Sequence, residues 1–511
     1  MKKTISLLMV SIMAVLLIAG CSSEPKQVPK GDENGEQSGA VRKIDKKFTM
    51  LTSSNPTFPY KKEWPIWKWI EEKTGVTFDV TLPSGTLNDT ISLTMASGSL
   101  PDLIFMSSTL ANKYGEQGAL ANILDYVDSM PNFKKWIESY PEMAKRAISA
   151  DGKMYILPNQ GFGETNRNIW LYRKDIFDKH GLKAPDDYEE LYAVMKKLKE
   201  LYPDTYPFAF DRGQTLDILT NMSANFETFN GMYYDFDKKE WKYGPIEDSF
   251  KTLIEYMNRF YKEGLIPPDW MTMQTKQWQD LISTNKAFIT ADYIGRIDLF
   301  NPSMRKDNPQ FNLDFMAPPA GTPGGKRQNP NLQVVDDGLT VASTSKNIKD
   351  VMKYMDFFYS EEAREMSSWG KEGETFTVEN GKKKFVPGFT SVPDLRAKTG
   401  MATNGTYTWI DYDAHISLFS SQLQNAYTEA RKYDMPLQPR PAFNAKENEV
   451  LSLTGEAIKK HLQENVAKFV MGDRSLSEWD KFVTEIKGLG LQKMVDVYKE
   501  AYQRGEEVQL K

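Results

Sequence analysis

The chain has 511 residues, with 64 Lys and Arg against 69 Asp and Glu, which gives a formal net charge of −5. A general nucleic-acid-binding protein carries a basic surplus, so this charge balance excludes that class and we expect no nucleic-acid partner. One cysteine and three histidines provide too few ligands for disulfide, iron–sulfur or Cys- and His-based zinc sites. We therefore expect neither a metal nor a cofactor.

The N-terminus has the composition of a secretory signal. Two lysines precede an apolar run over residues 5–18, which is too short for a comfortable transmembrane helix. The run is followed by Ala19, Gly20 and Cys21, and small residues before a lone cysteine resemble the lipobox of bacterial lipoproteins. This resemblance implies that residues 1–20 are a signal peptide and that Cys21 is lipidated. The alternative is an ordinary signal peptide with an accidental cysteine.

Residues 21–45 are predicted to be the lipidated cysteine and a flexible tether. Residues 22–40 contain no aromatic side chain and almost no apolar one, so they cannot bury a core. No later stretch has the roughly 18 apolar residues of a membrane-spanning helix. The sequence thus predicts attachment to a membrane by lipid without a transmembrane segment.

The rest of the chain alternates strand patterns with helix patterns. In chain order, periodicity predicts strands at residues 47–53, 76–82, 103–106, 169–173 and 287–292. It predicts helices at residues 64–73, 86–97, 188–201, 250–262, 351–360 and 361–369, and a helix-rich part from about residue 445. Strands separated by helices of this length are typical of an α/β fold with a mostly parallel sheet.

Common catalytic motifs are absent from the sequence. It has no HExxH, CxxC, GxSxG, P-loop or GxGxxG pattern, and its three histidines are far apart. Two carboxylates would suffice for a glycoside hydrolase, but among 69 acidic residues such a pair has no specificity. We therefore expect a protein that is not an enzyme, with a surface-anchored glycoside hydrolase as the alternative.

Six phrases in order along the chain resemble one known family. They are MASGSLPD (95–102), DGKMYILP (151–158), LYRKDIFDKHGL (171–182), NKAF (285–288), WGKEG (369–373) and GDRSLSEWD (472–480). Together they are similar to the extracellular solute-binding lipoproteins of carbohydrate ABC importers, solute-binding protein family 1, in the long branch of Bacillus and Paenibacillus type. The resemblance implies a two-lobed α/β periplasmic-binding-protein fold, with three inter-lobe crossings and the ligand in the cleft.

The resemblance also implies partners and a location. The ligand would be an oligosaccharide derived from plant cell walls, delivered to two permease subunits that work with a cytoplasmic ATPase. The protein would be a monomer, lipid-anchored to the cell membrane on its extracytoplasmic face. Another alternative with the same fold is a sugar-sensing subunit that reports to a receptor kinase.

The order of the phrases also predicts the lobes. Lobe one is assigned residues 46–157 and 319–435, and lobe two residues 158–318 and 436–511. The crossings are expected near Leu157-Pro158, near Ala317-Pro318 and over residues 436–441. Each crossing contains proline, which fixes φ and suits a connector better than a central strand.

The candidate ligand contacts follow from the chemistry of a sugar. Aromatic rings stack on the apolar C–H faces, polar side chains bind the hydroxyls, and Arg would bind a carboxylate. In open α/β sheets, such groups belong on loops at the carboxyl ends of strands. The candidates are Asn55, Phe58, Ser107, Phe162, Arg167, Trp270, Asp292, Tyr293, Arg296, Trp369, Trp409 and Arg440.

Two alternatives stay open for these candidates. Any of the aromatic side chains could be a core residue, and Arg440 could tie the lobes together through a carboxylate. One departure from the family concerns calcium, because many long members carry a calcium-loop-like insert after the helix that follows the LYRKD phrase. Here residues 202–208 follow that helix directly and lack a set of oxygen ligands, so we expect no structural calcium.

Overall fold

Strands and helices alternate along the chain in a computed structural model that describes residues 43–211, 213 and 215–510. The predicted signal peptide, the lipidation at Cys21 and most of the predicted tether lie outside these residues. The strands are β1 Lys46–Leu51, β2 Val76–Thr81, β3 Leu103–Ser107, β4 Asn168–Arg173, β5 Met232–Asp235, β6 Glu240–Tyr243, β7 Ile289–Tyr293, β8 Leu313–Met316, β9 Asp337–Val341, β10 Phe376–Glu379 and β11 Lys382–Phe385.

The six helices predicted before residue 445 and the helix-rich C-terminal part are present to within a few residues, and the remaining helices were not predicted. The first half of the chain has α1 Pro65–Thr74, α2 Leu87–Ser97, α3 Ser108–Glu116, α4 Pro131–Ser139, α5 Pro141–Arg146, α6 Lys174–His180, α7 Tyr188–Leu201, α8 Ile218–Asn225 and α9 Asp248–Lys262. The second half has α10 Thr275–Ser283, α11 Arg296–Met304, α12 Ile348–Phe357, α13 Glu361–Ser368, α14 Val392–Thr399, α15 Tyr412–Ile416, α16 Ser421–Ala430, α17 Ala445–Val450, α18 Glu456–Met471, α19 Trp479–Gly488 and α20 Leu491–Glu506.

One sheet contains the strands at the start of the chain, in the order β2-β1-β3-β9. Strand β1 pairs in parallel with β2 and β3, as predicted, and β9 joins β3 in antiparallel orientation. A first apolar cluster surrounds this sheet, with Phe48, Ile104, Phe133 and Tyr354 among its buried members. This sheet and the helices packed against it form the first α/β part of the fold.

A second sheet, in the order β7-β4-β8, is antiparallel throughout. The prediction of a mostly parallel sheet is therefore wrong for this part of the chain. The direction of a strand is set by its connection, and an alternation of helix and strand patterns does not reveal that β7 and β8 enter from the opposite side of β4. Two separate hairpins, β5-β6 and β10-β11, were also missed because their strands have only four residues each.

Two further apolar clusters lie against the second sheet. One contains Trp170, Phe260 and Trp270 together with residues of α18 and α19. The other joins Ile169 and Leu171 of β4 to residues of the segment 402–430. The predicted lobe boundaries stay predictions.

The segments that connect the two sheets lie side by side. The chain passes to the second sheet between β3 and β4 and returns to the first between β8 and β9. The Asn159 Nδ2 atom donates to the Val335 carbonyl at 2.8 Å, which joins these two segments. The Met435 amide, just before residues 436–441, donates to the Asn329 carbonyl at 3.0 Å. Adjacent connectors of this kind are where a hinge between two lobes would bend.

Candidate functional site

A buried arginine on helix α14 is the centre of the first part of the site. The Ser391 side chain accepts the Asp394 amide at the N-terminus of α14, and Gly400 ends the helix in the left-handed conformation at φ 75°. These two caps fix a short helix of eight residues and thereby the position of Arg396 within it. Only 6% of the Arg396 surface is exposed.

Two phenylalanine rings from distant loops enclose this guanidinium. Its carbon lies 4.5 Å from the ring centroid of Phe162 and 5.5 Å from that of Phe58. Phe162 in turn stacks on Tyr407, with centroids 5.0 Å apart and planes 16° from parallel. Phe58 and Phe162 were both predicted as ligand contacts, and both are half-buried. The structure thus brings two sequence candidates together around a cation that the sequence did not indicate.

No carboxylate neutralises Arg396 within the described residues. Its Nε and Nη2 atoms are buried and have no hydrogen-bond partner there. Burial lowers the pKa of the Arg396 guanidinium, and only Tyr412 and Tyr407 act in the opposite direction. An arginine nevertheless stays protonated in proteins. The nearby His415 is fully buried, and its pKa is lowered to about 3 by burial and by the Arg396 charge.

The second part of the site is a cavity of about 360 Å³ at the edge of the second sheet. Tyr293 ends β7, and its register partner Asn168 begins β4, so both side chains meet at this edge. Tyr293 is 37% exposed, as expected for a ring at the end of a strand. The cavity is lined by Asn166, Asn168, Asp217, Ile218, Thr220, Asn221, Tyr293 and Leu332. Amides, a hydroxyl, a carboxylate and one exposed ring are groups that can bind a polyol.

A single turn of 3-10 helix, Phe162–Asn166, connects the two parts. Its first residue faces Arg396 and its last lines the cavity, over a length of roughly 8 Å. Gly161, at φ 98°, precedes this turn, and a Cβ atom there would lie 2.2 Å from the Ile410 carbonyl oxygen. Only glycine allows the backbone to pass so close, so Gly161 fixes where Phe162 is presented.

A larger cavity of about 800 Å³ lies where α3 approaches the β5-β6 hairpin, α17 and α20. The predicted contact Arg440 lies beside it and donates to Ser108 and Thr109 at the start of α3, the latter at 3.2 Å. Arg440 also forms an ion pair with Asp336 at 2.8 Å, and Arg146 pairs with the same carboxylate at 3.0 Å. The contact expected if Arg440 ties segments together is therefore present.

Comparison with known proteins establishes the family. Residues 59–365, more than half of the chain, match the model of the bacterial extracellular solute-binding protein family. This chain belongs to that family. The resemblance inferred from the six sequence phrases is confirmed.

Two curated relatives of this solute-binding protein cover most of its length. It is 24% identical over 456 residues to the polygalacturonan/rhamnogalacturonan-binding protein YtcQ of Bacillus subtilis, covering 86% of this chain and 88% of the relative. It is 21% identical over 499 residues to the fructooligosaccharide ABC transporter substrate-binding protein FusA of Streptococcus pneumoniae, covering 89% and 90%.

A solved structure shows the same fold. The alginate-binding protein AlgQ2 superposes with a TM-score of 0.65 and 24% identity over 89% of this chain and 98% of the other. The predicted two-lobed α/β periplasmic-binding-protein fold is therefore confirmed.

Several predicted contacts of this solute-binding protein are committed to structural roles. Arg167 is buried and binds Glu164 at 3.0 Å and Asp434 at 2.6 and 3.0 Å, which joins the residue before β4 to the segment that precedes residues 436–441. The Ser107 side chain caps α3 by accepting the Leu110 amide at 3.4 Å. Both side chains use their polar atoms within the protein.

Of the three predicted tryptophans, Trp270 cannot be a ligand contact. It is 0% exposed and packs with Trp170 and Phe260 in the apolar cluster against the second sheet. Since Trp270 closes the core beneath the loop that contains it, a ligand cannot stack on its ring, and we remove it from the site. Trp369 is half-buried against Phe385 of the β10-β11 hairpin, with centroids 4.8 Å apart. Trp409 is buried next to Arg364.

The remaining candidates lie on the expected loops. The Asn55 side chain accepts the Thr57 amide at 2.8 Å, which forms a turn beside Phe58. Asp292 is buried and pairs with Arg296 at 3.3 Å, next to Tyr293. This pair orients the loop after β7.

Sequence reasoning missed the residues that complete the site. Asp217, Thr220 and Asn221 belong to a region in which no strand end marked a loop, and Leu332 lies in the return crossing. Arg396 had one weak signal, since no acidic residue lies three or four positions from it in its helix.

Neither a metal cluster nor a membrane-spanning helix occurs in the part of the chain that the structure describes. No group of three or more His, Cys, Asp and Glu side chains there could hold a metal ion. No helix there has the length and apolar character needed to cross a bilayer.

Proposed function

We propose that this solute-binding protein captures an oligosaccharide outside the membrane and delivers it to the permease of an ABC importer. The observation that carries the proposal is the cavity of about 360 Å³ at the end of β7. It combines an exposed ring, Tyr293, with amides and a hydroxyl. This is the combination that a sugar needs, with a flat apolar face and many hydroxyls.

The names of the relatives support a saccharide as the solute. YtcQ is named for binding polygalacturonan and rhamnogalacturonan, FusA for fructooligosaccharides and AlgQ2 for alginate. All three ligands are polymers or oligomers of sugars. A plant-cell-wall oligosaccharide, as expected from the sequence, agrees with the first of these names.

The proposed partners are two permease subunits and their cytoplasmic ATPase. FusA is named as an ABC transporter substrate-binding protein, which supports this assignment. We further propose that Cys21 is lipidated and anchors a monomer to the extracytoplasmic face of the cell membrane. The lone cysteine after Ala19-Gly20 supports the anchor.

Calorimetric titration of the purified protein with a panel of neutral and acidic plant-wall oligosaccharides tests the proposal. We expect saturable binding of at least one of them and no product release over hours. Release of shorter sugars would favour the glycoside hydrolase instead. Failure to bind any oligosaccharide would overturn the proposed function.

A Cys21→Ala variant tests the anchor. Without a thiol, no lipid can be attached, so the protein should be released into the medium or keep its signal peptide. Fractionation followed by immunoblotting measures this. Unchanged attachment to the membrane would contradict lipidation at Cys21.

Closure of the two lobes about the adjacent crossings should accompany binding. A ligand shifts a protein toward a conformation only by binding that conformation more tightly. Small-angle scattering at saturation with the sugar that binds should therefore give a smaller radius of gyration than the free protein. An identical radius would count against closure.

A further inference from the structure

We infer that Arg396 is the anchor for a carboxylate of the ligand, so that the solute is an acidic, uronic-acid-containing oligosaccharide. This inference rests on the proposed function and narrows it to one substrate class. Three observations of the described residues carry it: the burial of Arg396, its lack of a counter-charge, and the two rings that enclose it.

Burial of a charged group is expensive unless the charge is paired and hydrogen-bonded. Arg396 is 6% exposed, and its Nε and Nη2 atoms have no partner among the described residues. The Phe58 and Phe162 rings offer cation–π contacts, which compensate only part of that cost. Donors are thus in place for an acceptor that the described part of the chain does not supply.

The acceptor that fits these donors best is a carboxylate. A guanidinium presents its donors in a planar fork that matches a carboxylate, with two parallel hydrogen bonds. The neighbouring His415 does not compete for that role, because its lowered pKa of about 3 leaves it neutral near pH 7 and an imidazole supplies no negative charge. A neutral sugar hydroxyl would satisfy a donor but would leave the charge without compensation.

The rest of the ligand would lie against the Phe58 and Phe162 rings. Phe58 and Phe162 are half-buried, so part of each ring stays accessible beside the cation. A pyranose with a carboxylate in place of its terminal hydroxymethyl group has an apolar face for such a ring and an anion for the arginine. The turn Phe162–Asn166 then continues to the cavity at Tyr293, which would hold the next sugar units.

The test compares one oligosaccharide in two charge states. Calorimetry is performed with an oligogalacturonate and with the same oligosaccharide after reduction of its carboxylates to hydroxymethyl groups. We expect the wild-type protein to bind the acidic form at least about 10-fold more tightly. Arg396→Met should weaken binding of the acidic form by about 10- to 100-fold and leave binding of the reduced form unchanged.

Two further variants separate recognition from structure. Arg474→Met is the matched control, because Arg474 also lies over two phenylalanine rings but has its carboxylate partner within the chain. This control should keep the preference for the acidic form. Arg396→Lys keeps the charge but not the fork, so its loss of affinity should be intermediate.

The outcomes are distinguishable. Equal affinity of the wild-type protein for both charge states, binding of neutral sugars alone, or an equal loss for both in Arg396→Met would overturn the inference and leave the proposed function intact. Absence of binding to every sugar in either charge state would overturn the proposed function and the inference with it. A melting temperature of Arg396→Met far below wild type would assign Arg396 a structural role.

Discussion

In two regions of this protein an arginine lies between two phenylalanine rings, but only one of the two arginines has a carboxylate partner among the described residues. In the C-terminal helices, Arg474 lies 5.1 Å from the centroid of Phe469 and 5.9 Å from that of Phe482. Its guanidinium binds Glu485 at 2.9 and 3.2 Å. Around Arg396, the same arrangement of rings is present, but the described residues place no carboxylate against the cation.

The difference distinguishes an arginine with a structural role from an arginine that is available to a ligand. Around Arg474, the chain completes the charge balance itself, so the ion pair fastens α19 to the loop after α18. Around Arg396, the loops bring a cation and two rings together without completing the balance. Buried charged groups without a partner are rare because they are costly, so the unpaired guanidinium of Arg396 requires a functional explanation.

Trp270 and Tyr293 were both predicted to contact the ligand, but Trp270 is a core residue and Tyr293 lies at the cavity. Trp270→Ala should change the stability of the protein more than any other substitution considered below. Trp270 is fully buried beside Phe210, so truncation leaves a large cavity and should lower the free energy of unfolding by about 3–5 kcal/mol. Affinity for the sugar should not change in the folded fraction. Denaturant unfolding and calorimetry measure the two quantities. A stable variant with lost affinity would return Trp270 to the site.

Trp270 also shows what the sequence could predict. A proline connector before a tryptophan is compatible with an exposed ring or a buried one, and only the packing of distant segments decides between them. Tyr293 was predictable because the end of an apolar strand is a local pattern. Lys398 finds Asp394 four residues away in the same helix, whereas Arg396 has no such neighbour, and its environment is built from three distant segments. The local spacing of residues therefore predicts helices, strands and the ends of strands. It does not predict which loops, distant in sequence, lie together in the fold.

Substitution of Arg474 and substitution of Arg396 should have different effects on the free energy of unfolding. Arg474→Met leaves Glu485 without its main partner and should lower the free energy of unfolding by about 1–3 kcal/mol. Arg396→Met removes a buried charge that has no carboxylate partner among the described residues, and it should leave the stability unchanged or raise it. Urea titrations of both variants against wild type measure the difference. Equal destabilisation by both substitutions would mean that the chain compensates both charges.

Tyr293→Ala should lower affinity with little effect on folding. Its ring is partly exposed at the cavity, so its removal takes a stacking surface from the ligand and little from the core. We expect a loss of about 1–3 kcal/mol in binding, which is roughly 5- to 150-fold in the dissociation constant. Tyr293→Phe is the matched control, since it keeps the ring and should keep most of the affinity. A marked fall in melting temperature for Tyr293→Ala would identify the ring as a core residue.

The smallest expected effect is on the pH dependence of the free energy of unfolding. It tests the Arg396 region without a ligand. His415 is buried, and its pKa is lowered from 6.5 to about 3, first by burial and then by the Arg396 charge. The unfolded chain therefore takes up a proton near pH 6.5 that the folded protein does not, so the stability contribution is complete above that pH.

The contribution of the neutral His415 to the free energy of unfolding should be lost as the pH falls from 6.5 toward 3. The slope of the unfolding free energy is at most about 1.4 kcal/mol per pH unit. Between pH 6.5 and 5, where most carboxylates stay ionised, His415→Asn should reduce the dependence of unfolding free energy on pH. Arg396→Met should keep most of it, because burial is the larger cause. If the wild type and His415→Asn have the same pH dependence, the imidazole is not held neutral in the folded protein. The Arg396 pocket would then be more open to water than its contacts indicate.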